Sequence, residues 1–119
     1  MAFYRMTGGG KFTSGSFVRD STNKNQLYEV KLGFTPTYFA CWKVNTSSPA
    51  SATTQCNLYS SEISPTKVLW MSGYTTVATF YNIPQTTAVN RINHIQDSSV
   101  FMHLVNDNGI GTWYYVAVG

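Results

Sequence analysis

The groups that could do chemistry in this chain are few. The acids are Asp20, Glu29, Glu62, Asp97 and Asp107, the histidines are His94 and His103, and the thiols are Cys41 and Cys56. No two acids share a local motif, so nothing here resembles the paired carboxylates that cleave a glycosidic bond. His94 and His103 have neither cysteines nor acids at ligand spacing, whereas zinc needs such donors brought together. Cys41 with a distant histidine would lack the third group that orients a catalytic base. The stretch TGGGKFTSG, residues 7–15, has glycines and a lysine. It lacks the GxxxxGK[ST] spacing of a phosphate-wrapping loop and leads into a strand pattern. The expectation is a protein that is not an enzyme, with no cofactor and no metal. His103, between Phe101 and Val105, reads as a packed or edge histidine, and both cysteines read as reduced thiols.

Binding groups are more numerous. Tyr74 stands beside Gly73 at a junction between strand patterns and is expected to be exposed. Together with Tyr59 it could stack on a sugar ring, while Asn106, Asp107 and Asn108 in a turn could hold hydroxyls. Trp42 and Trp70 read as core. The closing stretch GTWYYVAVG, residues 111–119, alternates Trp113, Tyr115 and Ala117 with Tyr114, Val116 and Val118. Both sets are apolar, so the strand serves two surfaces. Trp113, Tyr114, Tyr115 and Val116 are therefore candidates for an oligomer interface, where Tyr and Trp are enriched.

The elements that must position these residues are strands throughout. The 119 residues read as one domain, with residues 1–10 a flexible or interface-forming arm. Period-two alternation marks 11–19, 25–32, 66–73, 75–82, 99–106 and 112–118. In 25–32, Tyr28, Val30 and Leu32 face one way and Leu27, Glu29 and Lys31 the other. TYFACWKVN, 37–45, is apolar on both faces and reads as a central strand. QCNLYSS, 55–61, reads as a short strand at an edge, and 46–54 as an exposed loop. The segment 83–98 reads as irregular chain with one short strand, although Ile92 and Ile95 have helical spacing. Asp-Asn-Gly at 107–109 predicts a hairpin joining the last two strands. The fold expected is all-β, an antiparallel β-sandwich of about 6–8 short strands.

Composition narrows the partners. Only 11% of the residues are charged while 15% are aromatic, so polarity comes from hydroxyls and amides. Such a surface suits extracellular and virion proteins and chains that pack against copies of themselves. The net charge of +3 is spread over Arg5, Lys11, Arg19, Lys24, Lys31, Lys43, Lys67 and Arg91. That scatter argues against a groove tracking nucleic-acid phosphates. No apolar run is long enough for a membrane-spanning helix, and MAFYRMTGGG lacks the hydrophobic region of a signal peptide.

Three stretches, GKFTSGSF, LGFTPTYFACW and TWYYVAVG, resemble a family of small domains in bacteriophage and prophage tail or baseplate proteins. The matching positions are Gly10, Phe12 and Thr13, then Gly33, Phe34, Pro36 and Tyr38, and finally Tyr115, Ala117 and Gly119. The closing aromatic-x-Ala-x-Gly strand is also similar to the H-type lectins, trimeric six-stranded sandwiches that bind N-acetylgalactosamine-like sugars. The resemblance implies a structural or receptor-binding virion component, assembled in the host cytoplasm as a homo-oligomer, a trimer above all. Its partners would be other tail proteins and a cell-surface glycan. The alternative is a free-standing lectin-like carbohydrate-binding module. The motif residues have scaffold roles: Phe34 plugs one end of the sandwich, Pro36 sets the direction of the next strand, and Gly119 stands where a side chain would clash.

Overall fold

A computed structural model describes residues 10–20, 26–43, 55–72, 78–84, 91–104 and 110–119. In chain order the strands among them are β1 (Phe12–Arg19), β2 (Gln26–Lys31), β3 (Tyr38–Lys43), β4 (Gln55–Ser60) and β5 (Lys67–Ser72), then β6 (Thr79–Asn82), β7 (Ile92–Gln96), β8 (Ser99–Leu104) and β9 (Gly111–Val118). They form two antiparallel sheets, a six-stranded one in the order β1-β9-β3-β4-β5-β6 and a three-stranded one in the order β2-β8-β7. The chain is thus an all-β antiparallel sandwich. The loop expected at 46–54 and the 73–74 junction lie outside the described residues.

Alternation explains the layers. On β2, Tyr28, Val30 and Leu32 point into the core and Leu27, Glu29 and Lys31 point to solvent. β3 lies between β9 and β4, as its apolar character on both faces requires. The inner face of the large sheet brings Phe17, Phe39, Cys41, Tyr59, Val68, Trp113 and Ala117 to the core; the small sheet answers with Val30, Ile92, Val100 and Met102. Phe17 stacks on Tyr28 across the two sheets with ring centroids 4.5 Å apart. Cys41 Sγ meets Met102 Sδ at 3.6 Å. The backbone N–H of Ile92 donates to Asn57 Oδ1 at 3.2 Å, tying β7 to β4. These contacts set the three-stranded sheet over β1, β9, β3 and β4, while Val68 on β5 and Tyr81 on β6 also reach the core.

Two expectations are corrected. β4 is not an edge: it lies between β3 and β5, and its polar inner residues Gln55 and Asn57 are buried. β8 and β9 do not form a hairpin. β8 pairs with β2 and β7, while β9 crosses to the other sheet and pairs with β1 and β3. The Asp-Asn-Gly segment itself lies outside the described residues. The tight reversal is instead between β7 and β8, where Gln96 pairs with Ser99 around Asp97 and Ser98. Asp97 takes a left-handed φ of 54° there, which a short polar side chain tolerates. The one short strand expected within 83–98 is β7, and the helical spacing of Ile92 and Ile95 arises from a bulge in it. The register shifts between Ile92 and His94, so Ile92 faces Met102 and Ile95 faces Val100, both inward.

The scaffold roles of the motif residues have a geometric basis. Gly119 is held by two backbone hydrogen bonds to Lys11, its N–H donating to the Lys11 carbonyl at 2.9 Å. A Cβ on Gly119 would lie 2.9 Å from Phe34 Cε2 and 3.1 Å from the Thr35 carbonyl oxygen. Phe34 packs against the core from this end. Gly119→Val is therefore expected to cost about 1–3 kcal/mol through overpacking, read as a lower urea midpoint at unchanged slope.

Candidate functional site

Because inner and outer residues alternate, the outward face of the six-stranded sheet can be read from the register. Val116, Ala40, Leu58, Leu69 and Phe80 stand side by side across five strands. A second row runs Tyr114, Trp42, Cys56 and Met71. Beyond the first row, Phe12, Val118 and Tyr38 continue the surface. Trp42 and Tyr114 stack with centroids 6.3 Å apart. Phe12, Met71, Phe80 and Tyr114 are exposed, at 64%, 42%, 52% and 43% of their surface. Among the described strand residues on this face the single charge is Lys67, at one end. On β1 both rows end in serines, Ser14 beside Val116 and Ser16 beside Tyr114, so the apolar part of this face is a patch over β9, β3, β4, β5 and Phe80 of β6, where exposed sheet faces ordinarily carry polar side chains.

The inner face holds the charges instead. Arg19 and Lys43 are buried, and Lys43 Nζ donates to the Ile110 carbonyl at 3.3 Å. Burial, and after it the nearby Arg19 charge, lower the Lys43 pKa. Arg91 is buried against β5 and β6, its guanidinium 3.4 Å from the Tyr81 ring centre and 5.5 Å from that of Trp70. A cation over aromatic faces is a favourable arrangement when water is excluded. Three of the eight basic residues are thereby withdrawn from the surface.

A cavity of about 300 Å³ lies beside β7, where His94 and Ile95 of that strand meet Tyr59 of β4. Tyr59, Thr35, His94 and three prolines (Pro36, Pro65 and Pro84) are among its lining residues. Burial raises the Tyr59 pKa, so its phenol is neutral. On the bulge, Asn93 stands between the two histidines. Its Nδ2 meets His103 Nδ1 at 3.1 Å and its Oδ1 meets His94 Nδ1. His94 also lies flat on Phe101, with centroids 4.5 Å apart. Ser99 Oγ donates to Glu29 Oε2 at 2.6 Å on the same outer face of the small sheet. Among the described residues, no three His, Cys, Asp or Glu side chains gather in a way that could hold a metal ion.

Cys41 and Cys56 are free thiols on opposite faces of adjacent strands. Burial raises the Cys41 pKa well above the ordinary 9.0, with the charge of Cys56 adding to it and a backbone hydrogen bond from Asn57 opposing it. Burial also raises that of Cys56. Above pH 9.0 the unfolded chain releases the Cys41 proton while the folded chain keeps it. Stability contributed by the neutral buried thiol is full below that pH and is lost as pH climbs toward the folded value. Cys41→Ala is expected to lower stability at neutral pH but to flatten this alkaline decline, as measured by urea denaturation between about pH 8 and 10.5.

The candidate residues part ways along the strand alternation. Tyr114 and Val116 lie on the outer face of the large sheet. Tyr115 turns inward, its ring centroid 5.8 Å from that of Phe39 and 6.5 Å from that of Phe17. Trp113 is fully buried in the chain's own core, so the expectation that it serves an interface is corrected. Tyr59 is buried and lines the cavity. Tyr74, Asn106, Asp107 and Asn108 lie outside the described residues. Trp42, read from the sequence as core, is corrected: it stands on the outer face between Tyr114 and Cys56, because the core side of β3 is taken by Phe39 and Cys41. Leu58, Leu69, Met71 and Phe80 were not singled out as surface residues. The signal available for them was the apolar alternate set in each strand of the large sheet. Comparison with protein-family models, with curated proteins and with solved structures finds no match.

Proposed function

We propose that this chain is a self-associating structural domain of a bacteriophage or prophage tail or baseplate assembly. The observation that supports self-association is the apolar outer face of the six-stranded sheet. Strand spacing of about 4.8 Å and a rise of about 3.4 Å per residue give that face a projected area on the order of 500 Å². A standard stable complex buries ~800 Å² on each partner. A patch this apolar, with Lys67 its one described charge, has the chemistry of its own copy as a partner. The tail or baseplate setting rests on the resemblance carried by Gly10, Phe12 and Thr13, by Gly33, Phe34, Pro36 and Tyr38, and by Tyr115, Ala117 and Gly119.

A face meeting itself closes as a two-fold pair, whereas a trimer requires it to meet a different surface of the next copy. Light scattering at two protein concentrations and two salt strengths is the test. A multimeric mass insensitive to salt supports the proposal, and its value separates pair from trimer. A monomer at micromolar concentration overturns it. Cys56 gives a second readout, because its thiol on this face should become slower to label as concentration rises.

A further inference from the structure

We infer that β1 is a docking edge for β1 of a second copy, the two strands running antiparallel about a two-fold axis at Gly15 and joining two large sheets into one. The inference goes beyond the face contact proposed above and does not rest on it, because it uses the edge of the sheet and not its outer face.

The argument starts from the four strands that are paired on one side only among the described residues, β1 and β6 in the large sheet and β2 and β7 in the small one. An open edge invites strands of other chains, and folded proteins blunt it with short strands, charges, prolines or bulges. β6 has four residues and Pro84 follows it closely. β7 has five and is bulged at Asn93. β2 carries the exposed charges of Glu29 and Lys31. β1 has none of these devices. It is eight residues long, contains no proline and pairs with β9 without a shift of register, and its one charge, Arg19, is buried at its end.

Main-chain geometry says what this edge offers. Lys11 and Gly119 exchange both of their backbone hydrogen bonds. Bonded pairs alternate along an antiparallel ladder, so Thr13, Gly15 and Phe17 also turn their N–H and C=O toward β9. Phe12, Ser14 and Ser16 turn theirs outward. Because side chains alternate between faces, a copy that keeps its core on the same side must set even-numbered residues against even-numbered ones. With the axis at Gly15, Ser14 and Ser16 exchange bonds with Ser16 and Ser14 of the second copy. Phe12 then comes opposite the Val18 side chain. These two are 64% and 59% exposed in the single chain, and an aromatic facing a β-branched residue is a favourable cross-strand pair. An axis at Ser14 would set Phe12 against Ser16, and one at Ser16 would set it against the carboxylate of Asp20. On the inner side, Thr13 of the second copy comes beside Phe17, which lines a cavity of about 240 Å³ between β1 and β2. The added strand thus brings a small side chain to a space that the single chain leaves open.

One ladder of main-chain bonds gains little over water, so the expected dissociation constant is on the order of 1 mM. At micromolar concentration the face alone sets the mass.

The test is disulfide trapping on the full chain carrying Cys56→Ser, which leaves the buried Cys41 as the other thiol. Ser14 and Ser16 are exposed, and residues of a bonded antiparallel pair stand about 5.5 Å apart, within disulfide reach. Under diamide, a mixture of Ser14→Cys and Ser16→Cys chains should cross-link roughly tenfold faster than either variant alone. It should do so equally when both also carry Leu58→Asp, which removes the face contact. Cross-linking no faster in the mixture, or lost with Leu58→Asp in a chain still folded by circular dichroism, overturns the inference. The unaltered chain gives a second measure. From about 0.05 to 2 mM, amide exchange should slow at Ser14 and Ser16 and stay constant at Thr13, Gly15 and Phe17, whose N–H groups β9 already holds. Exchange at Ser14 and Ser16 that ignores concentration would equally overturn it. A chain that is monomeric at micromolar concentration sinks the face reading and leaves this one standing.

Discussion

Replacing Leu58 with aspartate is expected to turn a self-associating chain into a monomer. Leu58 stands in the middle of the apolar row, flanked by Ala40 on β3 and Leu69 on β5. Its side chain points away from the core, so a carboxylate there remains in water as long as the chain is alone. Packing a second copy over the face would strip that water from the carboxylate, and the one described cation on the face, Lys67, stands diagonally across on β5, two residues from Leu69. A charge buried against apolar surface costs several kcal/mol that a single ion pair does not offset in full, enough to weaken association by about a hundredfold or more. The measurement is native mass across a dilution series, with circular dichroism and thermal midpoint as controls for the fold. A variant that keeps both its fold and its multimeric mass would show that another surface holds the copies together.

Trp113→Ala is expected to have the largest effect on stability. The indole is completely enclosed, lies parallel to Phe17 at 6.2 Å between centroids, and is carried by a strand paired on both sides. Truncation removes the transfer energy of a large ring and leaves a cavity that the sheet cannot close, because β1 and β3 hold β9 in register. The expected loss is about 3–5 kcal/mol, a large share of the stability of a small domain. Urea denaturation at fixed concentration reads it directly. The contrast with Leu58→Asp is informative: one variant should lose its fold more readily, the other its partner. A Trp113→Ala chain that stays as stable as the parent would overturn the assignment of this residue to the core.

How far the sequence could be read depended on the kind of question. Strand positions were legible because alternation is a local signal, clear in Tyr28, Val30 and Leu32 against Leu27, Glu29 and Lys31. The central place of β3 was legible for the same reason, its two faces both being apolar. Sheet membership was not. An Asp-Asn-Gly turn favours a reversal, but which strand edge receives the next segment is decided by distant partners, here β1 and β3. β4 misled because Gln55 and Asn57 are polar yet buried, and Asn57 earns its interior place through the Ile92 N–H. The bulge at Asn93 disguised a strand as a helical spacing. The site was half legible. That β9 serves two surfaces follows from its alternation, but Trp113 and Tyr115 are as apolar as Tyr114 and Val116. Nothing within the strand itself says which set faces the core.

The position of β9 has a consequence for how the chain is made. It is the last strand in chain order, yet it fills the slot between the first strand and the third. While the ribosome works through the residues between β1 and β9, for about 5–20 s, the slot between β1 and β3 has no occupant. During that time β1 has no neighbour in its sheet and β3 has one bare edge, and both are open to strands of other chains. Assembly of the core must wait for residues 111–118, and its rate is set by long-range pairing. Chains stalled before β9 emerges should be cut by protease throughout, and those stalled well past Gly119 should resist it.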